Sequence, residues 1–164
     1  MKIAETIITK NLFSYLDGKK VLEVACGDSN FSLAACKYAK KVVATDISLD
    51  RLRKRNLQAF PSNIEFKEMD VTNLALEDNS FDATVCYNAL GHLQNVLKPA
   101  LDEMIRVTKP NGYLLLIATW SMDIRVLSKL ENIIDTYSNL IVDSVIEDAS
   151  FKILVLQKSD MSKG

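Results

Sequence analysis

The stretch from Val21 to Asp46, VLEVACGDSNFSLAACKYAKKVVATD, constrains the fold more than any other part of the chain. An apolar run ends at a turn of small residues, a helix-spaced segment follows, and a second apolar run closes on an acid. Two strands separated by that much helical chain pair parallel rather than as a hairpin. The crossover is then right-handed, and both faces of the sheet need cover. The turn after the first strand and the acid ending the second meet at the carboxyl edge, where open α/β sheets hold nucleoside-bearing ligands.

The remaining chain repeats the alternation. Ile3, Ile7, Ile8, Leu12 and Leu16 have helical spacing, and Gly18 suits the stop. Lys20 to Ala25 is the first strand; Phe31, Ala34, Ala35 and Tyr38 mark the inner face of the next helix. Val42 to Thr45 is the second strand, and a polar helix near Asp50 turns Leu52 and Leu57 to the sheet. Ile64 to Lys67, Phe81 to Tyr87 and Tyr113 to Ala118 are further strands, with a helix from about Val96 to Thr108 and a turn at Pro110–Gly112. Ser121 suits the cap of a last helix bearing Ile124, Leu127, Leu130, Ile134 and Tyr137. Leu140 to Ile146 and Phe151 to Gln157 are separated by only Glu147–Ser150, which calls for a hairpin. The pattern is a Rossmann-like, doubly wound α/β sheet with a C-terminal antiparallel hairpin.

At 164 residues and 48% apolar composition the chain can bury one core unaided, and its net charge of -1 gives no strong nucleic-acid signal. Cys26, Cys36 and Cys86 lack metal-finger spacing, so the expectation is reduced thiols in a cytoplasmic protein and no metal. The charged residues within 1–17 are unlike a signal peptide, and the longest apolar run, Tyr113 to Ala118, is too short for a membrane span.

Gly27 permits close backbone approach to a ligand, and Asp46 follows it by 19 residues, where a carboxylate accepts both ribose hydroxyls. Capping of the next helix is the competing reading of Asp46. Asp70 can accept an exocyclic adenine amine with Val71 offering its amide, or can be a simple turn aspartate. Arg51 and Arg55 share a helix face, read as solvated. Asp123 and Glu131 read as surface residues of the last helix.

Together these segments resemble the class I S-adenosylmethionine-dependent methyltransferases, from the first strand almost to the C-terminus. VLEVACGDSNFS resembles the glycine-rich first motif, with Glu23 at its acidic position, Ala25 in the turn and Gly27 at its central glycine. VVATDIS resembles the second motif, implying Asp46 at the ribose and Ile47 against the adenine. EMDVTNL resembles the third, implying Asp70 and Val71 at the adenine edge, while FDATVCYNALGHL and LDEMIRVTKPNGYLLL resemble the segments around strands four and five. The resemblance implies S-adenosyl-L-methionine as cofactor and one methyltransferase-like domain over 1–164, with an N-terminal helix over 1–18 and the cofactor-binding sheet and helices over 19–158. Ala25 and Asn30 stand where glycine is expected; alanine costs little there if φ stays negative.

Methyl transfer needs an aligned acceptor more than a protein base. Tyr87, Asn88 and His92 follow the fourth strand and are the candidate substrate-side residues, with Tyr87 also at the cofactor. Their plain alternatives are an edge-of-core ring, a turn cap and a backbone-bonded histidine. Trp120 can pack on an acceptor or anchor a loop. The strand end Cys86-Tyr87-Asn88-Ala89 lacks the Asn/Asp-Pro-Pro-aromatic run of many base-amino and glutamine-amide methyltransferases, and no GxGxxG turn supports a nicotinamide dehydrogenase. Little chain is left between Ala118 and the last helix, so the acceptor pocket is open or completed by a second copy or an accessory partner. The expectation is methyl transfer to a small molecule or an exposed macromolecular group; the alternative is a noncatalytic methyltransferase-like interaction protein.

Overall fold

The computed structural model describes residues 2–160; Met1 and the last four residues lie outside the described range. The elements in chain order are α1 (Lys2–Ile7), a π-helical turn (Ile8–Leu12), α2 (Phe13–Leu16), β1 (Lys20–Val24), α3 (Asn30–Ala35), β2 (Lys41–Asp46) and α4 (Asp50–Arg53). They continue with β3 (Ile64–Glu68), β4 (Phe81–Tyr87), a 3-10 segment (Leu90–Val96), α5 (Leu97–Val107), β5 (Thr108–Ala118), α6 (Ser121–Ile133), β6 (Leu140–Glu147) and β7 (Lys152–Lys158). The seven strands form one sheet in the order β3-β2-β1-β4-β5-β7-β6. The first five pair parallel, and β7 runs antiparallel to both β5 and β6. This is the Rossmann-like sheet with its C-terminal hairpin that the alternating runs predict.

Alternation of side chains along each strand divides the core in two. Val21, Val42, Ala83, Val85, Leu115 and Val155 meet α1, α2 and α3 through Ile7, Leu12, Leu16, Phe31 and Ala34. Leu22, Val24, Cys86, Leu114, Leu116 and Leu154 face the other way, onto α5 and α6 through Leu101, Met104, Leu127 and Leu130. Strands buried on both faces read as nearly unbroken apolar runs, which is why β1, β4 and β5 stand out in the sequence. The strand order reverses between β1 and β4, and the carboxyl ends at that reversal define the ligand-binding crevice of such sheets.

Several local expectations need correction. Helix α4 is short, and Leu57 beyond it is 37% exposed rather than packed on the sheet; Asn56 at φ 50 ends the turn. Ser121 makes no capping bond, and Trp120 holds the N-cap position of α6. The Pro110–Gly112 turn is absorbed into β5 as an irregular extension, with Asn111 at φ 67 and a register shift opposite Phe81–Ala83. A Cβ at Gly112 would lie 2.8 Å from the carbonyl oxygen of Asp82 and 2.9 Å from that of Lys109. Both obstacles are backbone, so Gly112→Ala is expected to destabilise the protein by about 2 kcal/mol, measured by urea unfolding.

Candidate cofactor and acceptor site

The site begins with an unusual piece of backbone. Ala25, Gly27 and Ser29 have φ of 50°, 56° and 64°, so every second residue of the turn is left-handed. The third glycine-like position is therefore Ser29; Asn30 is the first residue of α3. The condition under which alanine costs little, a negative φ at Ala25, is not met. Two non-glycine residues in the left-handed region cost on the order of 1 kcal/mol each, because Cβ crowds the following carbonyl. Ala25→Gly is expected to raise stability by about 0.5–1 kcal/mol in urea unfolding, the relief of strain exceeding the added chain entropy.

What holds this backbone is a set of charged and polar anchors. The Gly27 N–H donates to Asp46 Oδ2 at 2.8 Å, and the Ser48 N–H donates to Oδ1 at 3.2 Å. Asp46 thus joins the β1 turn to the end of β2 and leaves further lone pairs for a ligand. Asp28 accepts from the Asn30 N–H at 3.1 Å, and Ser29 Oγ donates to Cys26 Sγ at 3.2 Å. Glu23 lies beneath the turn, 1% exposed, with Oε1 accepting from the Ser32 N–H at 3.2 Å and from Ser32 Oγ at 2.6 Å. Burial pushes its carboxyl up to about 8, against the opposing bonds from Ser32. The cofactor contact expected of Glu23 becomes, on this placement, a positioning part: it ties α3 to β1 from inside the core.

The next two strand ends complete one wall. Ile47, beside Asp46, is 71% exposed, an unusual position for an isoleucine next to a polar anchor. Asp70 accepts from the Thr72 N–H at 2.9 Å and from Thr72 Oγ1 at 2.7 Å, bonds that hold its carboxyl below the usual range. Its turn reading is therefore present in the geometry, and the carboxylate also faces solvent. Val71 is buried next to it, packed against the core beneath β1 and β4.

The opposite wall comes from β4 and β5. Tyr87 packs on Phe31 with ring centroids 5.3 Å apart and the rings tilted by 35°. Burial, reinforced by the nearby Glu23, pushes the Tyr87 phenol up. Asn88, at φ 53°, donates from Nδ2 to Thr119 Oγ1 and accepts at Oδ1 from the Thr119 N–H, both at 2.7 Å. That two-bond clasp fixes the ends of β4 and β5 together and occupies part of the amide. His92 sits on the 3-10 segment with its ring exposed and no hydrogen bond or ion pair to it among the described residues. The three substrate-side candidates thus flank the same edge, but Asn88 is structurally employed and His92 is unsupported. Trp120 is 68% exposed and Met122 41% exposed at the beginning of α6.

Several placements were missed in the sequence. Asp123 is 4% exposed and accepts the Gly91 N–H at 2.7 Å, holding the 3-10 segment against α6. Its spacing from Val126, Leu127 and Leu130 is that of the buried helix face, so the signal was available. Glu131 is paired with Lys152 at 2.6 Å. Arg51 and Arg55 are not a merely solvated face: Arg55 Nη1 donates to the Asp28 carbonyl at 2.9 Å and to Asn30 Oδ1 at 2.6 Å, and Arg51 lies against Gly27. No local pattern marks that arrangement, because it depends on where the turn and α4 meet.

The comparisons agree with this architecture. The sequence profile described as the methyltransferase domain matches residues 22–116, which include β1 through most of β5. The chain belongs to the class I S-adenosylmethionine-dependent methyltransferase family. It is 41% identical over 102 residues to a demethylmenaquinone methyltransferase of Paenarthrobacter aurescens, a match covering 60% of this chain and 38% of that protein. The chain therefore spans well under two thirds of the length of this relative, and similarly 43% of the one from Clavibacter sepedonicus. In structure it resembles a SAM-dependent methyltransferase from Aquifex aeolicus with a TM-score of 0.71 and 20% identity, over 94% of this chain and 89% of that one. It also resembles the [4+2]-cyclase SpnF at a TM-score of 0.69 and 15% identity, over 96% of this chain and 80% of that one. Likeness at such identity establishes the fold, and the activity has to be read from the site.

Proposed function

We propose that this chain binds S-adenosyl-L-methionine across the carboxyl ends of β1, β2 and β3 and uses it to methylate a small molecule. The observation that carries the reading is Asp46, bonded to the Gly27 amide beside the exposed Ile47 and facing the Asp70–Val71 turn. Asp46 would take the ribose hydroxyls, Ile47 and Val71 would bracket the base, and Asp70 would accept its exocyclic amine. Gly27 and Ala25 would line the amino-acid part, with Glu23 holding their backbone from below. The bound cofactor supplies an electrophilic sulfonium methyl group. The chain's own contribution is orientation and exclusion of water, since Tyr87 and Asn88 shape the wall without offering a base.

Family membership supports the donor, and the relatives named for demethylmenaquinone support an apolar acceptor. Trp120, 68% exposed just after β5, offers an apolar surface that such a molecule could use. Calorimetric titration with S-adenosylmethionine, S-adenosylhomocysteine and NAD tests the reading. Saturable binding of both adenosyl-amino-acid ligands and none of NAD is expected; no binding of either would overturn it.

A second reading is a noncatalytic methyltransferase-like interaction protein that keeps the adenosyl site. The Asn88–Thr119 clasp and the unsupported His92 favour it, because neither presents a prepared catalytic group. Release of S-adenosylhomocysteine in a screen of phenolic and quinol acceptors separates the two: turnover excludes the second reading, and ligand binding without turnover favours it.

A further inference from the structure

We propose that Arg51 selects among adenosyl ligands by covering Gly27 as a displaceable cation; this rests on the binding reading above. The missing side chain of Gly27 leaves one side of the turn open to close approach. That side is taken by Arg51: a Cβ on Gly27 would lie 2.8 Å from its Nη1 and 3.3 Å from its Cζ. A ligand that comes close to the Gly27 backbone there must move the guanidinium first.

The neighbouring arginines show why Arg51 is the one that moves. Arg53 is bonded to Asp50 at 2.8 Å and to Glu68 at 2.7 Å, and Arg55 is fixed to Asp28 and Asn30. Among the described residues Arg51 has only Asp28, at 3.7 Å, with 66% of its side chain exposed. An exposed pair of this kind holds weakly, so α4 stays anchored while one side chain swings away.

Charge gives the contact its selectivity. Asp28 and Asp46 flank the turn, and Arg51 brings a positive charge to Asp28 when no ligand is bound. S-adenosylmethionine carries a sulfonium and an ammonium against one carboxylate, so it replaces a cation with a cation. S-adenosylhomocysteine, with one ammonium and one carboxylate, and methylthioadenosine, with no amino-acid part, both carry no net charge. Removing the guanidinium therefore favours S-adenosylmethionine over the other two.

The test is calorimetric titration of the wild type, Arg51→Met and Arg53→Met with these three ligands at fixed ionic strength. Arg51→Met is expected to bind S-adenosylmethionine about fivefold tighter, with smaller gains for S-adenosylhomocysteine and methylthioadenosine. Arg51→Gln should repeat this pattern. Arg53→Met makes the same change in net charge and is expected to leave all three affinities within about twofold. Unchanged or weaker S-adenosylmethionine binding by Arg51→Met, with wild-type binding intact, overturns the proposal alone. So does an equal gain for all three ligands. Failure of the wild type to bind any of them overturns the binding reading as well.

Discussion

Asp46→Ala is expected to weaken S-adenosylhomocysteine binding about a hundredfold, the loss of two charge-assisted hydrogen bonds to ribose hydroxyls. The side chain also anchors the Gly27 and Ser48 amides, so part of the effect comes from a looser turn. Those anchoring bonds span a half-buried site at the sheet edge, and their loss should lower stability by about 1 kcal/mol, leaving the core intact. Asp46→Asn distinguishes the two contributions. Its carbonyl oxygen still accepts from Gly27, while the amide group no longer accepts a second hydroxyl. An intermediate loss of about tenfold is expected for it by the same reasoning. Titration calorimetry and urea unfolding on both variants check the pair of effects, and unchanged affinity in Asp46→Ala would contradict the ribose assignment.

The second large effect is on stability as a function of pH. Burial raises the Glu23 carboxyl from its ordinary 4.5 to about 8. Within that window the folded protein keeps a proton that the unfolded chain releases. The stabilisation is therefore complete below pH 4.5 and is lost as pH rises through about 8, after which it changes no further. The slope of unfolding free energy from this group is at most about 1.4 kcal/mol per pH unit. Glu23→Gln fits the same space and its carbonyl can accept from Ser32, but it has no proton to release. Urea unfolding across the window should show the wild type losing stability relative to Glu23→Gln as pH rises. Parallel curves for the two proteins would show that Glu23 titrates in the folded state as it does in water.

The sheet was legible because strands buried on both faces carry nearly unbroken apolar runs, as in VLEV, ATVCY and LLLIA. The hairpin was legible because four residues cannot cross a sheet. Helix α4 was not: after Leu52 the segment RKRNLQAFPSN offers Leu57 at a spacing that suggests burial, yet it is exposed. Its environment depends on where the chain returns at β3. The turn was legible in kind but not in conformation. Ala25 and Ser29 in the left-handed region contradict local preference, and the surrounding bonds, among them those of Asp46, Cys26 and Arg55, span the turn that holds them. Asp123 was misjudged for a different reason. Its charge suggested solvent, while its place on the apolar stripe of α6 and the Gly91 amide opposite it decide for the interior.

The acceptor side shows the same division between chemistry and support. Asn88 has the residue type and place of a substrate-orienting group, and sequence position alone cannot separate that from a clasp. The structure shows the clasp: the reciprocal bonds to Thr119 use one Nδ2 hydrogen and one Oδ1 lone pair and leave the other of each.

The central claim is that one adenosyl site lies at the carboxyl ends of the first three strands. Backbone amide resonances of the wild-type protein, followed during titration with S-adenosylhomocysteine, test it most directly. Saturable shifts concentrated at Gly27, Ser48 and Val71, with the amides of β6 and β7 unmoved, are the expected result. Saturable shifts elsewhere with Gly27 and Ser48 unmoved, or no shifts at all, would contradict it.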